Sequence, residues 1–232
     1  MVISNSNSVM EKLILSNLSL ADLRRVVSLE EQDVAVAGWT EVAGITLTEA
    51  EQVQIQGISS HLTYEKIHLF NEATIWARAI YPLLLIVERD DVRAWAEVGL
   101  RARYRGFELE GVADGVLGRS VAGRLESPYL VVVETKRGVE GHNPVFQLYG
   151  QLLAAARLNW EQAQESERGE FEQVFGCYTI ADSWTFVRAE VWDLDGERPR
   201  LRVESSREYT EKVEIETIVK VLKRILTQKL GD

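Results

Sequence analysis

The 232-residue chain has a single cysteine, Cys177, and only three histidines, His61, His68 and His142. One thiol excludes an intramolecular disulfide and a cysteine-based zinc site, and makes a reducing, cytoplasmic setting the default expectation. The scarcity of histidine argues against a His-rich metal centre, so chemistry falls mainly to Asp, Glu, Lys and polar groups. No apolar run reaches the ~18 residues that suggest a membrane span. The longest candidate, Ala79 to Val87, is short and carries Pro82. The opening residues, MVISNSNS, lack the basic-then-apolar order of a secretory signal. A basic surplus is also missing. Lys and Arg number 26 against 36 Asp and Glu, giving a net charge of −10, which argues mildly against a nucleic-acid partner.

What the chain does have is apolar content, at 46%, enough for a substantial core and too much for a disordered protein. Its charge is uneven. Between Arg101 and Arg137 seven bases stand against five acids, so a locally basic face on an acidic protein is allowed. Arg101, Arg103 and Arg105 suit either a phosphate-tracking face or pairing with Glu108 and Glu110.

Helix signals come first along the chain. Ser19 with Asp22 reads as a cap opening LADLRRVVSLEEQ, and Thr48 with Glu51 as a capping box. A longer helix is expected from about Thr63 to Ile80, with Pro82 interrupting it or following its end. The period then changes. Val92 to Tyr104 alternates as a long half-buried strand, FELEGVADGVLG returns, RSVAGRLESP reads as a loop, and LVVV suits a central strand buried on both faces. Asn143 and Pro144 predict a helix start, running to about Leu158. Strands follow in FEQVFGCYTI, SWTFVRAEVWDL and RLRVESSREY, and a helix closes the chain from about Glu211 to Lys229. The expected fold class is α/β. Residues 1–60 are expected as an N-terminal helical extension whose amphipathic helices offer a homodimer contact, and residues 61–232 as the main domain, ending in the C-terminal helix.

One constellation carries chemistry. Glu134 and Lys136 stand two apart on a strand, so both project to one side, and Asp114 lies near the end of the preceding strand. If the two strands pair, Asp114 and Glu134 can share a hard cation such as Mg²⁺. Lys136 then sits beside an attacking water or a phosphate, where it can orient the water or offset developing charge. A solvated strand tip is the plain alternative for a bare E-x-K.

In order and spacing these segments resemble the PD-(D/E)xK nuclease superfamily. GVADGVL resembles its first acidic motif, VVVETKRG its E-x-K motif, NPVFQLYGQLLAAA the helix that follows, and NEATIWARAIYPLL its first helix. FGCYTIADSWTFV looks like the strand–turn–strand of the N-terminal nuclease domain of type I restriction motor subunits. The likeness covers roughly residues 63–190. Ala113 stands where a proline commonly precedes the first acid, Gln151 where relatives often place a tyrosine, and no G-x-x-x-x-G-K-[ST] motif of a motor occurs. The resemblance implies a restriction-endonuclease-like mixed sheet core flanked by helices. It implies a DNA endonuclease or exonuclease of restriction or repair type, using Mg²⁺ or Mn²⁺. Asp114 and Glu134 would be metal ligands, joined by Glu72 or, failing that, Glu65. Lys136 would position or activate the water and Gln147 would support the lysine or touch a phosphate. A binding module of the same fold with weak or lost activity is the alternative, and no membrane role is expected.

Other motifs are weaker. Cys177 reads as core, and Asp193-x-Asp195-Gly196 as a hairpin turn with the start of a calcium loop as the lesser alternative. His68 reads as a surface residue, and His142 as a loop histidine near the proposed site.

Overall fold

A computed structural model describes residues 10–32, 38–136 and 143–230. The chain starts with a short strand, β1 (Glu11–Ile14), then a helix, α1 (Leu20–Val26), then a second strand, β2 (Ser28–Gln32). Ser19 caps α1 in a reciprocal box with Asp22, as expected from the sequence. The expected helix over 20–32 ends at Val26, however, and SLEEQ becomes a strand. Its partner, near Arg200, lies far along the chain, where local periodicity cannot see it. The described part of segment 1–60 is therefore not a purely helical extension, since it supplies two sheet strands. The buried Leu23 and Val26 of α1 are already covered by the chain itself, which removes the reason for assigning that face to a dimer contact.

Helix α2 (Glu49–Leu62) starts at the Thr48–Glu51 capping box. The single helix expected over 63–80 is instead broken. A short turn leads to Asn71, whose side chain accepts the Thr74 N–H at 2.8 Å and starts α3 (Glu72–Ile75). A π-helical turn over Trp76–Ile80 follows, then α4 (Tyr81–Ile86). Pro82 has no N–H to give the preceding turn, and the widened turn just before it lets the helical path continue.

The alternating middle of the chain forms β3 (Val92–Arg103), β4 (Phe107–Val121) and β5 (Arg124–Lys136). The loop expected over 119–128 is a tight hairpin instead. Ala122 and Gly123 both take positive φ, the backbone that a two-residue turn requires. Helix α5 (Pro144–Gln162) begins at Asn143, as its cap predicts. Strands β6 (Phe171–Ile180), β7 (Ser183–Trp192) and β8 (Arg200–Thr210) precede α6 (Glu211–Leu230).

The eight strands make one mixed sheet in the order β1-β4-β5-β6-β7-β8-β2, with β3 paired to β4. Two buried clusters lie on its faces. One joins Ile55, Leu83 and Leu222 of α2, α4 and α6 to Val131 and Val133 of β5; the other joins Leu148 and Leu152 of α5 to Val132. LVVV is thus buried on both faces, as a central strand should be. Gly150 lets the N-terminal segment press onto α5, because a Cβ there would meet Leu18 at 2.2 Å. Among the described residues no helix is long and apolar enough to cross a membrane.

The β3–β4 ribbon changes faces partway along. Val92 and Ala94 pack in the first cluster, whereas Leu100 and Ala102, of the same parity, pack in the second. Leu109 and Ala113 pack in the second, and Leu117 in the first. The antiparallel register runs on except at Glu97, opposite Asp114, where the pairing is interrupted. Glu97 has φ 52, a left-handed backbone in mid-strand, which turns the ribbon over at that point.

Candidate active site

One edge of β4 changes partner in the middle. Residues Phe107–Glu110 pair with β1 and Gly115–Val121 with β5, so Asp114 stands at the fork between two neighbours. There its Oδ2 accepts the Thr135 N–H at 2.6 Å, which ties it to the end of β5. The β4–β5 register ends at Gly115 opposite Val133, so Asp114 and Glu134 are the residues that follow its last pair. Glu134 and Lys136 follow on β5, two apart and on one face. The three residues singled out in the sequence are thus brought together by adjacent strands.

Glu134 is fully buried and bonded at both oxygens. Lys136 Nζ donates to Oε1 at 2.7 Å, and Gln151 Nε2 donates to Oε2 at 2.7 Å. Gln151 also reaches the Val112 carbonyl at 3.3 Å, linking α5 to the forked edge of β4. Gln147, the glutamine taken from the motif, lies one turn earlier and is buried; among the described residues it makes no bond to Glu134 or Lys136. The signal for Gln151 was present in its spacing, four residues on and so on the same helix face.

Burial pushes the Glu134 carboxyl up to about 7, helped by the Asp114 charge and opposed by Lys136 and Gln151. Burial also raises Asp114. The Thr135 N–H and Lys136 hold it down, while Glu72 and Glu97 push it up. Burial works to lower the Lys136 ammonium, but Glu134, Glu72 and Asp114 together outweigh it and raise its pKa. These acids therefore favour the charged form of Lys136.

A cavity of about 250 Å³ opens beside these groups, lined by Glu72, Ala73, Trp76, Glu97, Asp114 and Thr135. Glu72 comes from the first turn of α3. Trp76 comes from the π-helical turn, and its ring fills the space where Gly115 has no side chain: a Cβ there would lie 2.2 Å from the indole. Glu134 and Lys136 stand behind this lining. Glu97 had no sequence signal, because the alternation of β3 runs through it unbroken and marks it only as a polar strand residue. Glu65, the fallback to Glu72, is directed elsewhere, 3.6 Å from Arg78 and on the wall of a separate cavity with His61.

The remaining sequence candidates separate cleanly. Arg101 and Arg103 both bind the buried Glu108, and Arg101 also approaches Glu110, which Lys12 pairs at 2.7 Å. Asp195 accepts from Arg157 at 2.6 Å, and Gly196 N–H closes a turn on the Asp193 carbonyl, as a hairpin turn would. Cys177 is buried, and burial pushes its thiol up. His142 lies outside the described residues.

Hard oxygen donors dominate the site, with no histidine or cysteine in the cavity lining. Among the described residues no three Asp, Glu, His or Cys side chains form a ready-made metal cage. That donor set fits Mg²⁺, which is usually held by one or two carboxylates and its own waters until a phosphate completes the shell. Glu134, Glu72 and Asp114 act on one lysine and Glu97 adds to the charge at Asp114, which leaves negative charge that a divalent cation would balance. No family model matches the chain, and no curated protein matches it.

Proposed function

We propose that the chain is a divalent-metal-dependent deoxyribonuclease of restriction-endonuclease-like fold that hydrolyses phosphodiester bonds by attack of water. The observation that carries the reading is the meeting of Asp114, Glu134 and Lys136 at the fork of β4 and β5, fixed by the Thr135 N–H and Gln151. Asp114 and Glu134 would hold Mg²⁺ or Mn²⁺, with Glu72 lining the same cavity as Asp114. A bound ion there supplies Lewis-acid polarisation of the phosphate and a more acidic water.

The protein's own groups do the rest. Gln151 keeps one Glu134 oxygen in place. Lys136, with its side chain 21% exposed, is the group of the three that can turn from Glu134 toward a bound phosphate or water without leaving its strand. Its permanent charge offsets the negative charge that builds on the phosphate oxygens. Asp114, bound to a backbone N–H, cannot swing away as the substrate enters.

The test is cleavage of linear and circular DNA by purified protein with Mg²⁺ or Mn²⁺. Lys136→Ala is expected to abolish cutting at an unchanged fold. Absence of cutting by the wild-type protein, or equal cutting by the variant, overturns the reading. A second reading, a binding module of the same fold without catalysis, is favoured by one observation: Arg101 and Arg103 are spent on Glu108 and do not form a free basic face. DNA or protein binding without any divalent ion at Asp114 and Glu134 would select it.

A further inference from the structure

We propose that a trough between α2 and α4 binds a single-chain aliphatic carboxylate, with its head at Arg78 and its tail over Gly57 and Leu85. The trough is separate from the Asp114 cavity and does not rest on the nuclease reading.

Two cavities of about 330 Å³ each share Ile58, His61 and Pro82, so they adjoin as one trough. That is the scale of small-molecule sites. One wall steps along a face of α2 through Gly57, Ile58 and His61 and continues to Glu65 just past the helix end. The other is Arg78 of the π-helical turn, then Pro82, Leu85 and Ile86. One end is therefore charged and the rest is mainly apolar.

The charged end has unused donors. Arg78 Nη1 stands 3.6 Å from Glu65, too far for a hydrogen bond. Its guanidinium lies over the Phe70 ring at 5.6 Å and donates to no described residue. His61, where the cavities meet, also has no hydrogen-bond partner among the described residues. Lys212 Nζ donates to the Glu65 backbone carbonyl at 2.7 Å and brings a second cation to this end. Two cations against one acid favour an anion, and the planar fork of an arginine matches a carboxylate.

The apolar end sets the tail. Gly57 sits inside α2, where a glycine weakens a helix, and a Cβ there would meet nothing within 4 Å. No described part of the chain uses the missing side chain, whereas a ligand lying against the helix backbone would. Leu85 stands 45% exposed on the facing wall. Apart from Gln54, the side chains here offer no hydrogen bonds. A peptide laid in the trough would exchange water for no new partners, while an alkyl chain has no polar groups to strand. A zwitterionic amino acid is the competing occupant, because Glu65 could take its ammonium.

The experiment is calorimetric titration of the full chain with decanoate. Wild type is expected to bind one decanoate per chain, and octanoate up to about fifteenfold more weakly for its two fewer methylenes. Arg78→Gln should weaken decanoate by about tenfold or more, and Glu65→Gln should tighten it. Gly57→Leu fills the trough with a side chain for which the fold leaves room. It should abolish binding at an unchanged or raised melting temperature. Leu85→Asp, at an exposed position, is a second block and should weaken binding strongly. No binding by wild type, equal affinity for decanol, or unchanged affinity in Arg78→Gln overturns the inference. So does undiminished binding in both Gly57→Leu and Leu85→Asp, which would place decanoate elsewhere. Leucine binding that Glu65→Gln destroys, with no decanoate bound, overturns it in favour of the zwitterion.

Discussion

At the scale of single residues, the controlling group is Glu134. The folded protein holds its proton more tightly than the unfolded chain does, so its contribution to stability is complete below its ordinary 4.5 and declines as pH rises to about 7. Metal binding needs the ionised carboxylate and opposes that trend. Cleavage is therefore expected to rise with pH, with a midpoint that moves below 7 as Mg²⁺ is increased; a midpoint independent of Mg²⁺ would refute the assignment. Asp114→Asn removes one of the crowded charges and keeps an acceptor for the Thr135 N–H. It should abolish cutting, yet raise the melting temperature of metal-free protein at pH 8 by about 2–4 °C, for roughly 1 kcal/mol of relieved repulsion. A lower melting temperature would show that the charge at Asp114 is structural. Glu211, fully buried, behaves in the same sense as Glu134. Burial lifts it to about 7, and Trp184 Nε1 donates to it at 2.9 Å. Glu211→Gln keeps an acceptor for that indole, so it should flatten the loss of stability between pH 4.5 and 7 in urea titrations.

At the scale of elements, the site depends on how α3 and the π-helical turn after it press on β4. Gly115→Ala forces a methyl into the Trp76 ring, and overpacking of this kind costs typically ~1–3 kcal/mol. The urea midpoint should fall and Mn²⁺ binding should weaken with it; an unchanged midpoint would mean that Trp76 moves freely. The elements also show what local sequence carries. Both capping boxes and the Asn143 cap were readable because side chain and backbone donor lie within three residues of each other. β3, β4 and β5 were readable because each is long enough to show its period. β1 and β2 were not, since four or five residues establish no period and their partners are fixed by tertiary contact. The order Asp114, Glu134, Lys136 identified the candidate site. Glu97, Thr135 and Gln151 became visible only when strand register and helix packing brought them in.

At the scale of the whole molecule, segment 11–32 supplies strands to both ends of the sheet order, β1 on β4 and β2 on β8. Removing residues 1–32 would bare the N-terminal half of one β4 edge and one edge of β8. Exposed strand edges invite pairing with other chains. The truncated protein should associate at micromolar concentration in light scattering, where the full chain should not; a monodisperse, monomeric truncation would show that those edges are protected by other means.

The same connectivity sets an order of assembly. Glu11 pairs with Phe107, and Ser28 with Arg200, so residues 11–32 are seated only against strands translated after them. On the ribosome β1 must wait for β4 and β2 for β8, and during that wait the leucines of this segment are a natural target for holding chaperones.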